Sequence, residues 1–188
     1  MSSNRQIILA SKSPRRFDLL TQNNIEFQVV TQDTPELTSH PNIDDLVMIN
    51  AERKATAVAD SHAQSIVIGA DTIVVYDNQV IGKPRDLEDA INILSKLVGN
   101  THTVITGVAI CCRELNRIEK FTVKSYVTFK ALSRQEIIEY TKKIHVLDKA
   151  GAYAMQEHAD LIVEKFEGSF DNIVGLPVKE VLDCLAKF

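Results

Sequence analysis

An α/β fold, as one domain over residues 1–188, is what this sequence predicts, and three stretches carry the prediction. Residues 7–16, Ile-Ile-Leu-Ala-Ser-Lys-Ser-Pro-Arg-Arg, read as a short buried strand, a polar bend and a helix start. Residues 65–76 form a run rich in β-branched side chains that suits the centre of a sheet. Residues 43–62 repeat apolar side chains at spacings of three and four, the stripe of a helix that covers a core.

The remaining elements follow in order. Ser13 suits an N-cap and Pro14 the first helical position, where a missing N–H costs nothing. The apolar side of that helix includes Phe17 and Leu20, and residues 26–30 read as a second strand. Asp77-Asn78 marks a hairpin turn into Val80-Ile81. Asp86 caps a helix that turns Leu87, Ala90, Ile91, Leu94, Leu97 and Val98 inward and stops at Gly99. Residues 102–112 and 118–130 suggest a long antiparallel pair. Ser133-Arg134-Gln135-Glu136 has the capping-box pattern of a further helix. Residues 148–156 read as a loop, 161–165 as a strand, and 177–188 as a closing helix with Val178, Val181, Leu182 and Leu185 on one side.

Composition narrows the function. A net charge of −4 does not advertise nucleic-acid binding. No apolar run approaches the ~20 residues of a membrane span. Residues 1–6 are polar and the apolar run after them is short, which argues against a signal peptide. Cys111, Cys112 and Cys184 lack metal or disulfide spacing and read as small buried hydrophobes of a reducing, cytoplasmic compartment. The seven glycines include no Walker A, G-x-G or G-x-S-x-G spacing, and the five histidines form no metal motif.

What remains is a scatter of charged residues. Arg15 and Arg16 stand in the first turn of a helix, where free backbone N–H groups favour an anion; taken alone, two solvated surface arginines are the commoner outcome. Asp71 interrupts an apolar strand, which is costly unless the carboxylate is paired, hydrogen-bonded or metal-bound. Lys83 is held between Gly82 and Pro84, and Glu52 and Lys54 share a helix; each alone is ordinary surface charge. Together they fit one chemistry. Arg15, Arg16, Lys54 and Lys83 would neutralise a polyphosphate, while Asp71 with Glu36 or Glu52 would hold Mg²⁺ or Mn²⁺. Asp71 would orient a water and accept its proton.

The chain resembles the Maf-like nucleoside triphosphate pyrophosphatases. The blocks that carry the resemblance are residues 9–16, Ala51-Glu52-Arg53-Lys54-Ala55, Gly69-Ala70-Asp71-Thr72, Gly82-Lys83-Pro84-Arg85-Asp86 and Thr106-Gly107-Val108. Asp148-Lys149-Ala150-Gly151-Ala152-Tyr153 with Gln156, and Gly175-Leu176-Pro177, complete the set. Their order and spacing are more specific than any one block. The resemblance implies a mixed central β-sheet flanked by helices, two lobes with a cleft, and hydrolysis between the α- and β-phosphates. It implies a divalent cation (Mg²⁺, Mn²⁺ or Co²⁺) and a homodimer.

By the same resemblance Asp71 is the proton acceptor. Ser13, Arg16, Lys54 and Lys83 fall on phosphate-site positions, Glu36 and Glu52 on acidic active-site positions, and Arg15, Thr72 and Gln156 on positions tied to nucleotide choice. Asp33 competes with Glu36, because the loop over residues 31–42 follows the family pattern only loosely. The 148–156 block is similar to that of the dTTP/UTP subgroup, and a Gln amide can both donate to and accept from a pyrimidine edge. Arg53, Met155, Glu157 and Asp171 depart from the usual family residues. A nucleotide-binding regulator of septum formation that does not turn its ligand over is the alternative.

Overall fold

A computed structural model of the chain describes residues 5–188; residues 1–4, part of the polar start that argues against a signal peptide, lie outside it. The order is β1 (Ile7–Leu9), α1 (Pro14–Gln22), β2 (Phe27–Val29), α2 (Ile43–Ala59), β3 (Ile66–Tyr76), β4 (Gln79–Ile81), α3 (Leu87–Leu97), β5 (Thr101–Cys112) and β6 (Arg117–Phe129). Then come α4 (Arg134–Lys143), a 3-10 turn (Ala150–Ala152), α5 (Ala159–Ile162), β7 (Val163–Glu167), α6 (Phe170–Val174) and α7 (Val178–Leu185). The strands lie in the order β2-β1-β3-β5-β6-β7, with β4 beside β3. The sheet is mixed: β1 runs parallel to β2 and β3, whereas β4 is antiparallel to β3 and β7 to β6. The chain divides into two compact units, neither continuous in sequence, and β3, β5 and β6 contribute residues to both.

In the first unit (to Thr72, Thr106–Val123, Gly175–Phe188) the decisive contact is α2 on the sheet. Asn42 caps α2 by accepting from the Asp44 N–H, and Asp44 and Asp45 favour the positive end of its dipole. Ala51, Ala55 and Ala59 are fully buried and pack with Ile8, Ala10, Val67, Ala109 and Cys111. Alternate strand residues share a face, so Val67, Gly69 and Asp71 point the same way. A Cβ on Gly69 would lie 2.3 Å from the Ala51 carbonyl oxygen, and one on Gly107 would lie 2.5 Å from the Val47 carbonyl carbon. The helix backbone therefore rests directly on β3 and β5.

The second unit (Ile73–Ile105, Lys124–Val174) has its own core, in which α3 and α4 pack with Phe129, Tyr153 and Ile162. His102, Phe129 and Tyr153 meet edge to face at centroid distances of 4.7–5.2 Å. His102 Nε2 lies 2.9 Å from the Tyr153 hydroxyl, and its buried Nδ1 has no partner among the described residues. Burial pulls the imidazole down from 6.5 to about 4, so it folds neutral.

Several expectations need correction. Phe17 is exposed and lies edge-on to Phe27, while Leu19 and Leu20 face the core. Leu87 and Leu182 are exposed, and Cys184 takes the buried place on α7. Residues 159–162 form a helical turn before β7, which begins at Val163. The short helix α6 was not anticipated. Ser13 occupies the N-cap without a side-chain cap bond; its N–H donates to Ser11 Oγ at 3.2 Å.

Gly69→Ala should cost about 3 kcal/mol, the overpacking range, and lower Tm by about 6–12 °C. Gly82→Ala, where nothing lies within 4 Å, should leave the melt unchanged. Thermal unfolding of both checks this. A second outcome concerns pH. The unfolded chain protonates His102 below 6.5 and the folded chain only near 4, so stability present above 6.5 is lost as pH falls between those values. The loss should approach about 3 kcal/mol. Urea titrations of wild type and His102→Leu from pH 7 to pH 4 should show it as a difference between the two.

Candidate active site

The carboxylate of Asp71 is the centre of the site, and its position follows from the strand register. β1 pairs with β3 as far as Leu9 and Ile68; β3 runs on beyond that point while the first strand bends into α1. Asp71 and Thr72 therefore lie past the carboxyl end of β1, where open α/β sheets place ligands. Asp71 faces α2, two residues from the glycine that admits the helix. Thr72 points to the opposite face.

From α2, Lys54 donates to Asp71 Oδ1 at 2.8 Å. These side chains are only 16% and 13% exposed, so the charges compensate each other largely out of water. The same ammonium lies 2.6 Å from Glu36 Oε1, at the 55% exposed end of the arrangement. One turn before Lys54, Asn50 donates to Asp71 Oδ2 at 3.0 Å. Asn50 also accepts from the Leu37 N–H at 2.8 Å and donates to the Leu37 carbonyl at 3.0 Å. Both carboxylate oxygens of Asp71 thus have donors, and the acidic loop is tied to the same helix.

Arg16 is buried, and each of its three nitrogens has an acceptor. Nε donates to the Gly175 carbonyl at 2.7 Å, Nη1 to Ser11 Oγ at 3.0 Å and Nη2 to Thr72 Oγ1 at 3.0 Å. Burial lowers the guanidinium to about 10; Asp71 and Glu36 oppose this, and Arg15 adds to it. It stays charged at neutral pH. Thr72 also bonds the Thr106 hydroxyl at 3.0 Å and the Gly175 carbonyl at 3.3 Å. Ser11, Thr72, Thr106 and Gly175 hold the arginine over the chain bend.

The first unit thus brings Asp71, Lys54 and Glu36 together, joins Arg16 to Thr72, and leaves Ser13 and Arg15 half-buried beside Arg16. Glu52 does not join Asp71; it pairs with Lys120 of β6 at 2.9 Å. Lys12, in the bend, pairs with Asp33 at 2.9 Å. In the second unit, Lys83 and Gln156 are exposed. Tyr153 of the 148–156 block is a core anchor, and Lys149 is buried against Asp148 Oδ1 at 2.8 Å and the His145 carbonyl at 2.7 Å. Sequence reasoning missed Asn50, although its i, i+4 spacing from Lys54 puts the two on one helix face.

No group of three or more His, Cys, Asp or Glu residues among the described residues forms a metal cage. Two carboxylates already converge on one cation, the Lys54 ammonium. That donor set fits Mg²⁺, which takes one or two carboxylates together with substrate phosphates and water.

Lys54→Met should destabilise the fold by about 3 kcal/mol, because it strands a buried carboxylate. Adding Asp71→Asn should recover most of the loss. Urea unfolding of the single and double variants checks the pair; a Lys54→Met protein as stable as wild type would contradict the compensation.

Comparison with known proteins gives the family. The family model described as Maf-like protein matches residues 6–188. The chain is 44% identical over 181 residues to a dTTP/UTP pyrophosphatase of Akkermansia muciniphila, covering 95% of this chain and 94% of the relative. It is 44% identical over 188 residues to a dTTP/UTP pyrophosphatase of Geotalea uraniireducens, covering 100% and 97%. A dTTP/UTP pyrophosphatase of Bacillus cytotoxicus is 40% identical over 185 residues, with 98% and 96% covered. Among solved structures, the Staphylococcus aureus Ham1 protein shares the fold at a TM-score of 0.53 and 15% identity, over 97% of this chain and 99% of that one. With its family model matched from residue 6 to the last residue, this chain belongs to the Maf-like protein family.

Proposed function

We propose that this protein hydrolyses the α–β phosphoanhydride of dTTP and UTP to the nucleoside monophosphate and pyrophosphate. The observation that carries the reading is Asp71: a largely buried carboxylate, oriented at both oxygens, beside a buried arginine and a shared lysine. A pure binder of triphosphate has no need of a carboxylate facing the anionic ligand. The names of the relatives support the choice of dTTP and UTP.

Asp71 orients a water and takes its proton. Asp71 and Glu36 would hold Mg²⁺, Mn²⁺ or Co²⁺, and the bound cation would polarise the phosphoryl oxygens. Lys54 has a long flexible stem, so it can turn from the carboxylates to an incoming phosphate. Arg16 supplies fixed positive charge without moving, since its fork is committed to the fold. Ser13 and Lys83 serve the phosphates, and Arg15, Thr72 and Gln156 the choice of base; Glu52 joins the acidic set by giving up its pair with Lys120. We read residues 1–188 as one domain, a reading supported by the three strands that contribute residues to both units.

No helix among the described residues is long and apolar enough to cross a membrane. We read the protein as a cytoplasmic homodimer that binds neither nucleic acid nor membrane. The dimer rests on the family resemblance and the location on the cysteine pattern.

With dTTP or UTP and Mg²⁺, monophosphate and pyrophosphate should accumulate in equal amounts. Asp71→Asn should lower kcat by about 10²-fold or more, the range of a general base, with triphosphate affinity largely kept. Full activity in that variant would reject the assignment. Binding without product in the wild type would favour a regulator, and orthophosphate as the product a phosphatase.

A further inference from the structure

The geometry points to Asn50 as a positioning residue that sets the Asp71 carboxylate and the Glu36 loop in one fixed arrangement. This rests on the pyrophosphatase reading. Asn50 lies in the interior of α2 and is 3% exposed. A buried amide without partners would be costly, yet all its donors are used. One N–H goes to Asp71 Oδ2 and the other to the Leu37 carbonyl, while its oxygen accepts from the Leu37 N–H. The paired bonds to the Leu37 backbone copy a strand ladder. They pin the residue that follows Glu36.

A closed ring results. Asp71 is tied to Asn50, Asn50 to Leu37, Leu37 covalently to Glu36, Glu36 to Lys54, and Lys54 back to Asp71. Lys54 can leave this ring for a phosphate, but Asn50, short and buried, cannot. When Lys54 turns away, the Asn50 bond to Oδ2 still fixes the rotation of the carboxylate and keeps Oδ1 facing the site. Support of this kind around a reacting carboxylate is worth about 10–100-fold in activity. Asn50 makes no contact with the reacting atoms in this scheme; it acts through Asp71.

Two variants test the inference. Asn50→Leu removes every bond with similar volume. Asn50→Asp keeps an acceptor for the Leu37 N–H but replaces the donor to Asp71 by a like charge. Steady-state kinetics with dTTP and Mg²⁺, and calorimetric binding of a non-hydrolysable α,β-imido analogue of dTTP, are measured on samples shown to be folded by their melts. The expected result is a kcat lowered about 30-fold in Asn50→Leu and about 100-fold in Asn50→Asp, with KM and analogue affinity within about threefold. In single turnovers on an Asp71→Asn background, Asn50→Leu should cost less than about threefold more, because the two act as one unit. A merely structural Asn50 would shift the melt and leave that non-additivity out. Unchanged kcat in folded variants, or a full additional loss on the Asp71→Asn background, overturns the inference. Absence of turnover in the wild type overturns the parent reading and this inference with it.

Discussion

The close seating of α2 on β3 and β5 is the constraint on which the site depends. Gly69 and Gly107 remove the side chains that would hold the helix off, and the alanines of α2 present little bulk in return. At that separation an asparagine and a lysine, one turn apart, both reach a carboxylate on the strand below. A larger residue at either glycine would lift the helix and leave Asp71 buried without donors. The close contact thus joins stability to chemistry, since the packing that covers the sheet also compensates the charge.

Compensation is distributed unevenly, and that unevenness has functional meaning. Arg16 is locked by bonds to Gly175, Ser11 and Thr72, so it acts as a fixed charge. Lys54 is shared between a buried acid and an exposed one, so it is the cation best able to exchange partners. Asn50 carries no charge and is satisfied on all sides, so it holds still while its neighbours change. Fixed, exchangeable and neutral supports around one carboxylate are what a site needs when a highly charged substrate enters and a differently charged pair of products leaves.

Much of this was legible in the sequence because local chemistry agreed with the fold. The strand-bend-helix start, the Asp77-Asn78 hairpin with both residues at positive φ, the Asp86 cap and the Ser133 capping box all formed as their residues dictate. Asp71 stood out because a charge inside an apolar strand demands a partner. Asn50 did not, since an asparagine within a helix reads as solvated until a distant loop is seen to use it. Glu52 and Lys120 are 68 residues apart, and no spacing rule connects them. Phe17, Leu87 and Leu182 fit helical stripes yet lie outside, because a stripe wider than the available core leaves its margin in water.

In the proposed reaction, triphosphate chemistry takes place at Asp71, between α2 and the bend after β1. A crystal structure of the protein with Mg²⁺ and an α,β-imido analogue of dTTP tests this most directly. In that complex the α–β bridge should lie beside the Asp71 carboxylate, with the cation on Asp71 and Glu36 and Lys54 turned toward a phosphate. A triphosphate bound elsewhere, with Lys54 still between the two carboxylates, would contradict it.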